Sequence, residues 1–212
     1  MRWVEIMGPH GIGKTTLVKR IRKRPGMARL RIKNEVVAPF IEGKNFNRPT
    51  TWGFANDWRP FLEVVESLYR ESTGGSNPPD LKRRRNLCRS IFRMSMVQKA
   101  AGVEITPRDI IGSEGMRLSF VLRDPSRIAS YFQTMPVSVG VIMLEADLDT
   151  IVRRNRERSH KVEDFGEFAK QGVRACTIAA EVLAQRTRLL RIDATRPVDE
   201  ITDAIYAFCR ES

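Results

Sequence analysis

Residues 3–24 read WVEIMGPHGIGKTTLVKRIRKR, in which an apolar segment, a glycine-rich turn and an amphipathic segment follow one another. The apolar residues 3–7 predict a buried strand, and the pattern that begins near Lys14 predicts a helix. A strand, a glycine-rich loop and a helix in this order, with the spacing GxxxxGKT over residues 8–15, are typical of a loop that binds nucleotide phosphates. The stretch therefore predicts a site for a nucleoside triphosphate.

The residue types of this loop each have a physical reason. Gly8, Gly11 and Gly13 carry no side chains, so successive backbone N–H groups can turn inward around an anion, and the next helix adds its positive N-terminus. We expect Lys14 to reach the β- and γ-phosphates and the hydroxyl of Thr15 to hold Mg²⁺. The predicted nucleotide contacts in the loop are Gly8, His10, Gly11, Ile12, Gly13, Lys14, Thr15 and Thr16.

Length and hydropathy indicate one globular domain. The 212 residues can form a single α/β domain with a sizeable core, and no change in composition marks a second one, so we expect one domain over residues 1–212. The longest apolar stretch, VSVGVIML at 137–144, is far shorter than a bilayer span, and no apolar signal region starts the chain. We therefore expect a soluble, cytoplasmic protein without a membrane partner. The oligomeric state stays open.

Cysteine and histidine are too few and too scattered to form a metal site of their own. The three cysteines lie far apart in the sequence, which indicates neither a disulfide framework nor a zinc site. Of the two histidines, His10 is expected to be a solvent-facing spacer, because the loop uses its backbone at that position. The only metal that we expect is the Mg²⁺ that accompanies the nucleotide.

The charge balance is strongly basic. Lys and Arg number 37 against 25 Asp and Glu, which gives a formal net charge of +12. Such an excess favours a polyanionic partner, and nucleic acid is the partner that we infer. The alternative is a solubilising surface.

Apolar segments alternate with helical patterns along the rest of the chain, which is typical of a doubly wound parallel sheet. The predicted strands are 3–7, 29–33, 110–113, 139–145 and 189–193. The predicted helices are 14–24, about 60–71, 81–101, 148–158, 165–185 and 197–209.

Five motifs in this order resemble those of the P-loop kinases that phosphorylate nucleosides and nucleotides. They are GPHGIGKT at 8–15, NEVV at 34–37, IIGSEG at 110–115, LDTIVRRNRER at 148–158 and RIDATRPVDEI at 191–201. The resemblance implies a three-layer α/β/α fold with a five-stranded parallel sheet, an arginine-bearing lid over about 148–165, and ATP as the phosphoryl donor.

Two carboxylates are candidates for the chemistry, because a kinase that acts on a hydroxyl needs a group to take its proton. The resemblance implies that Glu35 is this base, although Val36 replaces the proline that the family has next to it; the alternative is a solvated loop glutamate, with Asp57 as the next candidate base. Glu114 closes the predicted third strand and is expected to be the acid on the magnesium side. Glu145 also follows an apolar strand, but we interpret it as a strand-end residue.

Four arginines within residues 153–158 resemble a lid. Arg154 and Arg158 are four residues apart and so share a helix face, from which their guanidinium groups can contact the transferring phosphoryl group. The alternative is an exposed basic helix end. The resemblance further implies that Thr195 and Arg196, which follow the last strand, lie near the adenine.

Recognition of the acceptor is expected in the insertion of about 36–101. Its segment 45–61 mixes aromatic and polar residues that can stack on a base and bond its edge, and 82–93 carries basic residues at helical spacing. The candidate acceptor residues are Trp52, Phe54, Asn56, Asp57, Trp58, Arg89 and Arg117. A core role for the aromatic residues and a solvated role for the charges are the alternatives.

The aromatic segment 45–61 and the basic segment 82–93, together with the net charge, favour a polymeric acceptor. Some phage-encoded P-loop kinases phosphorylate 5-hydroxymethyluracil in DNA, a reaction in which the base must be flipped out and the backbone neutralised. The sequence looks compatible with this activity. The alternatives are a kinase of free nucleosides or nucleoside monophosphates and, in another class, a P-loop NTPase that acts as a switch.

Overall fold

A four-stranded parallel sheet runs through the part of the chain that the computed structural model describes. The described residues are 3–21, 23, 59–72, 106–108, 111–119, 122, 124–135, 140–157 and 164–211. The strands are β1 (Trp3–Met7), β2 (Thr106–Arg108), β3 (Gly140–Glu145) and β4 (Leu189–Asp193). The helices are α1 (Lys14–Ile21), α2 (Arg59–Ser72), α3 (Ile111–Ser119), α4 (Pro125–Thr134), α5 (Leu148–Arg156), α6 (Phe165–Ala184) and α7 (Val198–Glu211).

The strands lie in the order β2-β1-β3-β4, and every neighbouring pair is parallel. Met7 pairs with Met143, and Glu145 pairs with Asp193, so β1, β3 and β4 end at the same edge of the sheet. Ligands of open parallel sheets bind at the carboxyl ends of the strands. The segments that leave this edge are therefore the ones that can form a site.

Helices cover both faces of the sheet, which gives the predicted three layers, but the described residues form four strands and not the predicted five. Side chains alternate along a strand, so Val4 and Ile6 face one way and Met7 faces the other. Val4 and Ile6 pack in a buried cluster with residues of α1, β3, β4 and α7. Met7 packs in a second cluster with residues of α2, α3, α4, α6 and β3. The core therefore has one apolar layer on each side of the sheet.

Three helices begin at an aspartate whose side chain accepts a hydrogen bond from a backbone N–H group of the first turn. Asp124 begins α4, Asp147 begins α5 and Asp164 begins α6, with bonds of 2.9, 2.7 and 3.0 Å. These bonds satisfy donors that have no partner inside the helix. Because they stabilise the ionised form, they hold the pKa of Asp124 and of Asp147 below the usual value.

Most predicted elements in the described residues are confirmed, with small shifts at their ends. The predicted strands at 3–7 and 189–193 agree with β1 and β4, and β3 begins one residue later than predicted. The helix α4 was not predicted at all. The strand predicted at 29–33 and the helix predicted at 81–101 lie outside the described residues. Within the described ranges, no helix has the length and apolar character that crossing a bilayer would need.

The prediction of a strand over residues 110–113 is wrong. The strand β2 ends at Arg108, and residues from Ile111 onward form the helix α3. Two glycines explain the difference. A Cβ on Gly112 would lie 2.5 Å from Met7 Cγ, and a Cβ on Gly115 would lie nearly as close to two aromatic rings of α4. These glycines let a helix pack closely against β1 and α4, whereas we interpreted the segment IIGSEG as the end of a strand.

Gly115→Ala should destabilise the protein. Alanine normally favours a helix over glycine by about 1 kcal/mol. Here its Cβ would lie 2.6 Å from Tyr131 Cε1 and 2.7 Å from Phe132 Cζ, and both rings are fully buried. Overpacking of this kind costs about 1–3 kcal/mol, so we expect a lower melting temperature. Gly166→Ala is the matched control, because its Cβ would meet only Asp164 Oδ1 at 3.3 Å; equal melting temperatures for the two variants would contradict the packing described here.

Candidate nucleotide-binding site

The glycine-rich loop between β1 and α1 has the backbone conformation that its sequence predicts. Gly8, Gly11 and Gly13 have φ values of 151°, 84° and 107°, and they are the residues with positive φ in the described part of the chain. A Cβ on Gly8 would lie 2.8 Å from the backbone oxygen of Leu144, and one on Gly11 would collide with the side chain of Asn155. Only glycine fits these two positions, so the loop can curl tightly against β3 and α5.

Lys14 begins α1 and folds back over the loop. Its ammonium group donates hydrogen bonds to the backbone oxygens of Gly8 at 2.8 Å and of Pro9 at 2.9 Å. The first turn of the helix forms behind it, since the N–H groups of Thr16 and Leu17 both bond to the oxygen of Gly13. The positive helix N-terminus and the lysine charge therefore lie at the same end of the loop, which favours an anion there.

Thr15 and Thr16 are exposed in the first turn of α1. An exposed threonine hydroxyl at this position of a phosphate-binding loop fits Mg²⁺, whose other ligands come from phosphates and water. Among the described residues, no group of three His, Cys, Asp or Glu side chains lies close enough together to hold an ion. The exposed Thr15 hydroxyl thus fits a metal whose other ligands are nucleotide phosphates and water.

The outer side of the loop is bonded to α5. Asn155 Nδ2 donates to the backbone oxygen of His10 at 3.1 Å, and Asn155 Oδ1 lies 3.2 Å from His10 Nδ1. The ring of His10 also packs edge-on against Phe168, with 5.6 Å between centroids. His10 is exposed, as predicted, but it is more than a spacer because its side chain joins the loop to two helices.

Arg154 links the loop to the segment after β4. One guanidinium nitrogen donates to the backbone oxygen of Ala194 at 3.0 Å and another to that of Ile12 at 3.4 Å. The segment with Thr195 and Arg196 is thereby brought beside the loop, as the prediction of a shared site requires. Contact between Arg154 and a phosphoryl group stays a prediction, and Arg158 lies outside the described residues.

The two residues predicted to lie near the adenine make local contacts. The N–H and hydroxyl groups of Thr195 donate to Asp193 Oδ1 at 2.8 and 2.7 Å, and these bonds hold the pKa of Asp193 below its usual value. Arg196 forms an ion pair with Glu200 at 2.8 Å. The turn after β4 is thus fixed by its own side chains, and its contact with adenine stays a prediction.

Glu114 does not close a strand, so this part of the prediction is wrong. It is the fourth residue of α3, as Arg117 is the seventh. The first acidic residue after β2 in the sequence is Asp109, which directly follows Arg108 and lies outside the described residues.

A buried carboxylate anchors α3. Glu5 lies in β1 with 0% of its surface exposed, and its Oε1 accepts a hydrogen bond of 2.7 Å from the N–H group of Gly112. Glu145, by contrast, ends β3 and pairs with Arg191 at 3.2 Å, which agrees with its interpretation as a strand-end residue. The remaining candidates fall outside the described residues: Glu35, Trp52, Phe54, Asn56, Asp57, Trp58 and Arg89.

Comparison with known proteins finds a similar fold among solved structures. No family model and no curated protein matches the sequence. Among solved structures, the chain is similar to deoxyadenosine kinase from M. mycoides with the products dCMP and dCDP bound, with a TM-score of 0.52, 16% identity and 100% of both chains covered. It is similar to the same kinase with bound dATP, with a TM-score of 0.51, 14% identity and 98% of both chains covered. At these identities the likeness establishes a shared fold.

Proposed function

We propose that the protein transfers the γ-phosphate of ATP to a hydroxyl group in a reaction that requires Mg²⁺. The observation that carries this proposal is the geometry of the loop, in which three glycines with positive φ curl the backbone in front of α1 and Lys14 lies over it. The fold shared with deoxyadenosine kinase over the whole chain supports a kinase rather than another use of such a loop.

Each residue of the site has a distinct task in this proposal. The backbone N–H groups of the loop and the charge of Lys14 bind the β- and γ-phosphates, and Thr15 holds Mg²⁺. When bound, the metal neutralises charge on the phosphates. Arg154 and Arg158 stabilise the transferring group, and Thr195 and Arg196 contact the adenine. Glu114 is the candidate for the acid on the magnesium side.

We further propose that the acceptor is part of a nucleic acid, with DNA as the substrate. The full sequence contains 37 Lys and Arg against 25 Asp and Glu, a formal net charge of +12. Residues 24–58 and 73–105 alone hold 13 against 5, and they follow α1 and α2, where acceptor recognition is expected. These segments thus carry most of the net charge of +12, which favours a polyanion over a uniformly solubilised surface.

The candidate hydroxyl is the 5-hydroxymethyl group of 5-hydroxymethyluracil in DNA. Reaction there requires a flipped base, and the aromatic residues of 45–61 provide candidates for stacking on it. The second candidate function is a kinase of free deoxynucleosides or their monophosphates, which the fold shared with deoxyadenosine kinase favours.

Glu35→Gln is expected to lower turnover by about 10²-fold or more while ATP affinity stays near that of the wild type, because general base catalysis typically contributes on this scale. Initial rates and ATP titrations measure the two effects. If Glu35→Gln has no effect, Asp57→Asn is the next variant. Full activity in both would favour a monophosphate acceptor, whose ionised phosphate needs no base.

The acceptor is identified by incubating the protein with γ-labelled ATP and one of four acceptors: free nucleosides, nucleoside monophosphates, unmodified DNA and DNA that contains 5-hydroxymethyluracil. Each reaction is run at low and raised salt, because contacts with a phosphate backbone weaken steeply as salt increases. We expect label in the modified DNA, with a rate that falls as salt rises. Label in small molecules alone, without salt-sensitive DNA binding, would contradict the nucleic-acid acceptor.

A further inference from the structure

We propose that Asn155 is a positioning residue that holds the phosphate-binding loop in its anion-binding shape from outside the site. The inference rests on the proposed binding of ATP at this loop. Asn155 lies on the buried side of α5, one turn after Ile151, and only 4% of its surface is exposed. An apolar residue could fill this buried position, whereas a buried amide costs free energy unless it forms hydrogen bonds. The hydrogen bonds of Asn155 are therefore the feature that needs explaining.

The hydrogen bonds of Asn155 fix both the loop backbone and the side chain of His10. The backbone oxygen of His10 can only accept, so the group that faces it at 3.1 Å is the amide nitrogen of Asn155. This leaves the amide oxygen 3.2 Å from His10 Nδ1, which must then carry the proton and donate it. One side chain thus bonds two groups of the same loop residue, and the ring is held with Nε2 as its remaining polar atom.

Side chains of Asn155, Arg154 and Lys14 donate hydrogen bonds to backbone carbonyl groups of the loop. Asn155 bonds the oxygen of His10, its neighbour Arg154 bonds that of Ile12, and Lys14 bonds those of Gly8 and Pro9. A loop that binds phosphate must turn its N–H groups inward, and bonds that fix its carbonyl groups help to hold that arrangement before the anion arrives. A loop held in this way loses less conformational entropy on binding ATP.

Two further contacts join the phosphate-binding loop to the helices beside it. Gly11 approaches the Asn155 amide so closely that a Cβ would collide with it, so the loop is in direct contact with α5. Phe168 of α6 packs edge-on against the His10 ring and so joins a second helix to the loop. The loop therefore depends on a helix that begins about 140 residues later in the chain.

The test measures ATP affinity by calorimetry in the wild type, Asn155→Ala, His10→Ala and the double variant. Asn155→Ala should weaken ATP binding about 10-fold, because it removes two hydrogen bonds that each contribute modestly. His10→Ala should weaken it about 3-fold, because the bond to its backbone oxygen stays. The double variant should bind ATP more tightly than the product of the single effects predicts, since the two side chains act together.

Adenosine, which lacks phosphates, separates a loop role from a general structural role. Its affinity should be unchanged in each variant, and Asp149→Ala, an exposed change on the same helix, should leave both ligands unaffected. Equal losses for ATP and adenosine, or independent effects of the two residues on ATP, would overturn the inference. If Asn155→Ala does not fold, the exposed variant His10→Ala tests the inference by itself, because it should weaken the binding of ATP but not that of adenosine. A wild type that does not bind ATP would instead refute the proposed function.

Discussion

Lys14→Ala is expected to lower the rate of phosphoryl transfer by about 10³-fold, the scale on which preorganised charge at a transition state contributes. The ammonium group lies over the start of the loop, bonded to the oxygens of Gly8 and Pro9, at the end where the N-terminus of α1 also points. Steady-state rates at saturating ATP measure the loss.

The control for this variant is Lys19→Ala, an exposed lysine of the same helix. Both variants should melt at nearly the wild-type temperature, because Lys14 is a partly exposed loop contact rather than a core residue. Wild-type turnover in a folded Lys14→Ala protein would contradict the assignment of the loop.

Gly11→Ala is expected to weaken ATP binding by about 100-fold. A Cβ at positive φ costs about 1–2 kcal/mol, and overpacking against the Asn155 amide adds about 1–3 kcal/mol, where each 1.4 kcal/mol is a factor of ten. The φ of Gly11 is 84°, and the new atom would collide with Asn155 Oδ1. The loop must therefore open away from α5, and calorimetric titration with ATP measures the cost.

Gly13→Ala is the matched control, because Gly13 also has a positive φ, of 107°, but no atom lies within 4 Å of its Cβ position. It carries the backbone strain without the collision, so we expect a loss of about 10-fold. Equal losses at the two positions would show that contact with α5 contributes nothing.

The sequence was sufficient to predict the phosphate-binding loop because its chemistry is local. Glycines at fixed spacing, a lysine and an apolar strand lie within residues 3–21, and the structure places β1, the loop and α1 where this pattern predicts them. The terminal strand β4 was predicted for a similar reason, since an apolar run is followed directly by a turn and by a helix with acidic residues in its first turn.

The segment 106–119 was mispredicted because its pattern depends on distant neighbours. Gly112 and Gly115 resemble residues of a turn after a strand, but they are packing positions against Met7 of β1 and the rings of α4. The helix α4 was missed although Asp124 and Pro125 form a start signal that local chemistry explains, with a side-chain cap and a proline in the first turn. That error could have been avoided from the sequence.

The bond between Asn155 and His10 could not be predicted from the sequence. The two residues are 145 positions apart, and the asparagine stands within the run RRNRER, where the neighbouring arginines dominate the interpretation. A polar residue four positions after Ile151, on the buried face of a helix, was the only local sign. Contacts between residues so far apart in the sequence depend on how β1 and β3 pair in the sheet.

The fate of the γ-phosphate tests the central claim most directly. The wild-type protein and Lys14→Ala are incubated with Mg²⁺, ATP labelled on its γ-phosphate and a mixture of nucleosides and DNA that contains 5-hydroxymethyluracil, and the products are separated. We predict that the wild type places the label on an acceptor hydroxyl and that Lys14→Ala does not. Label that appears only as inorganic phosphate, with every acceptor unmodified, would contradict a kinase and would favour an NTPase that acts as a switch.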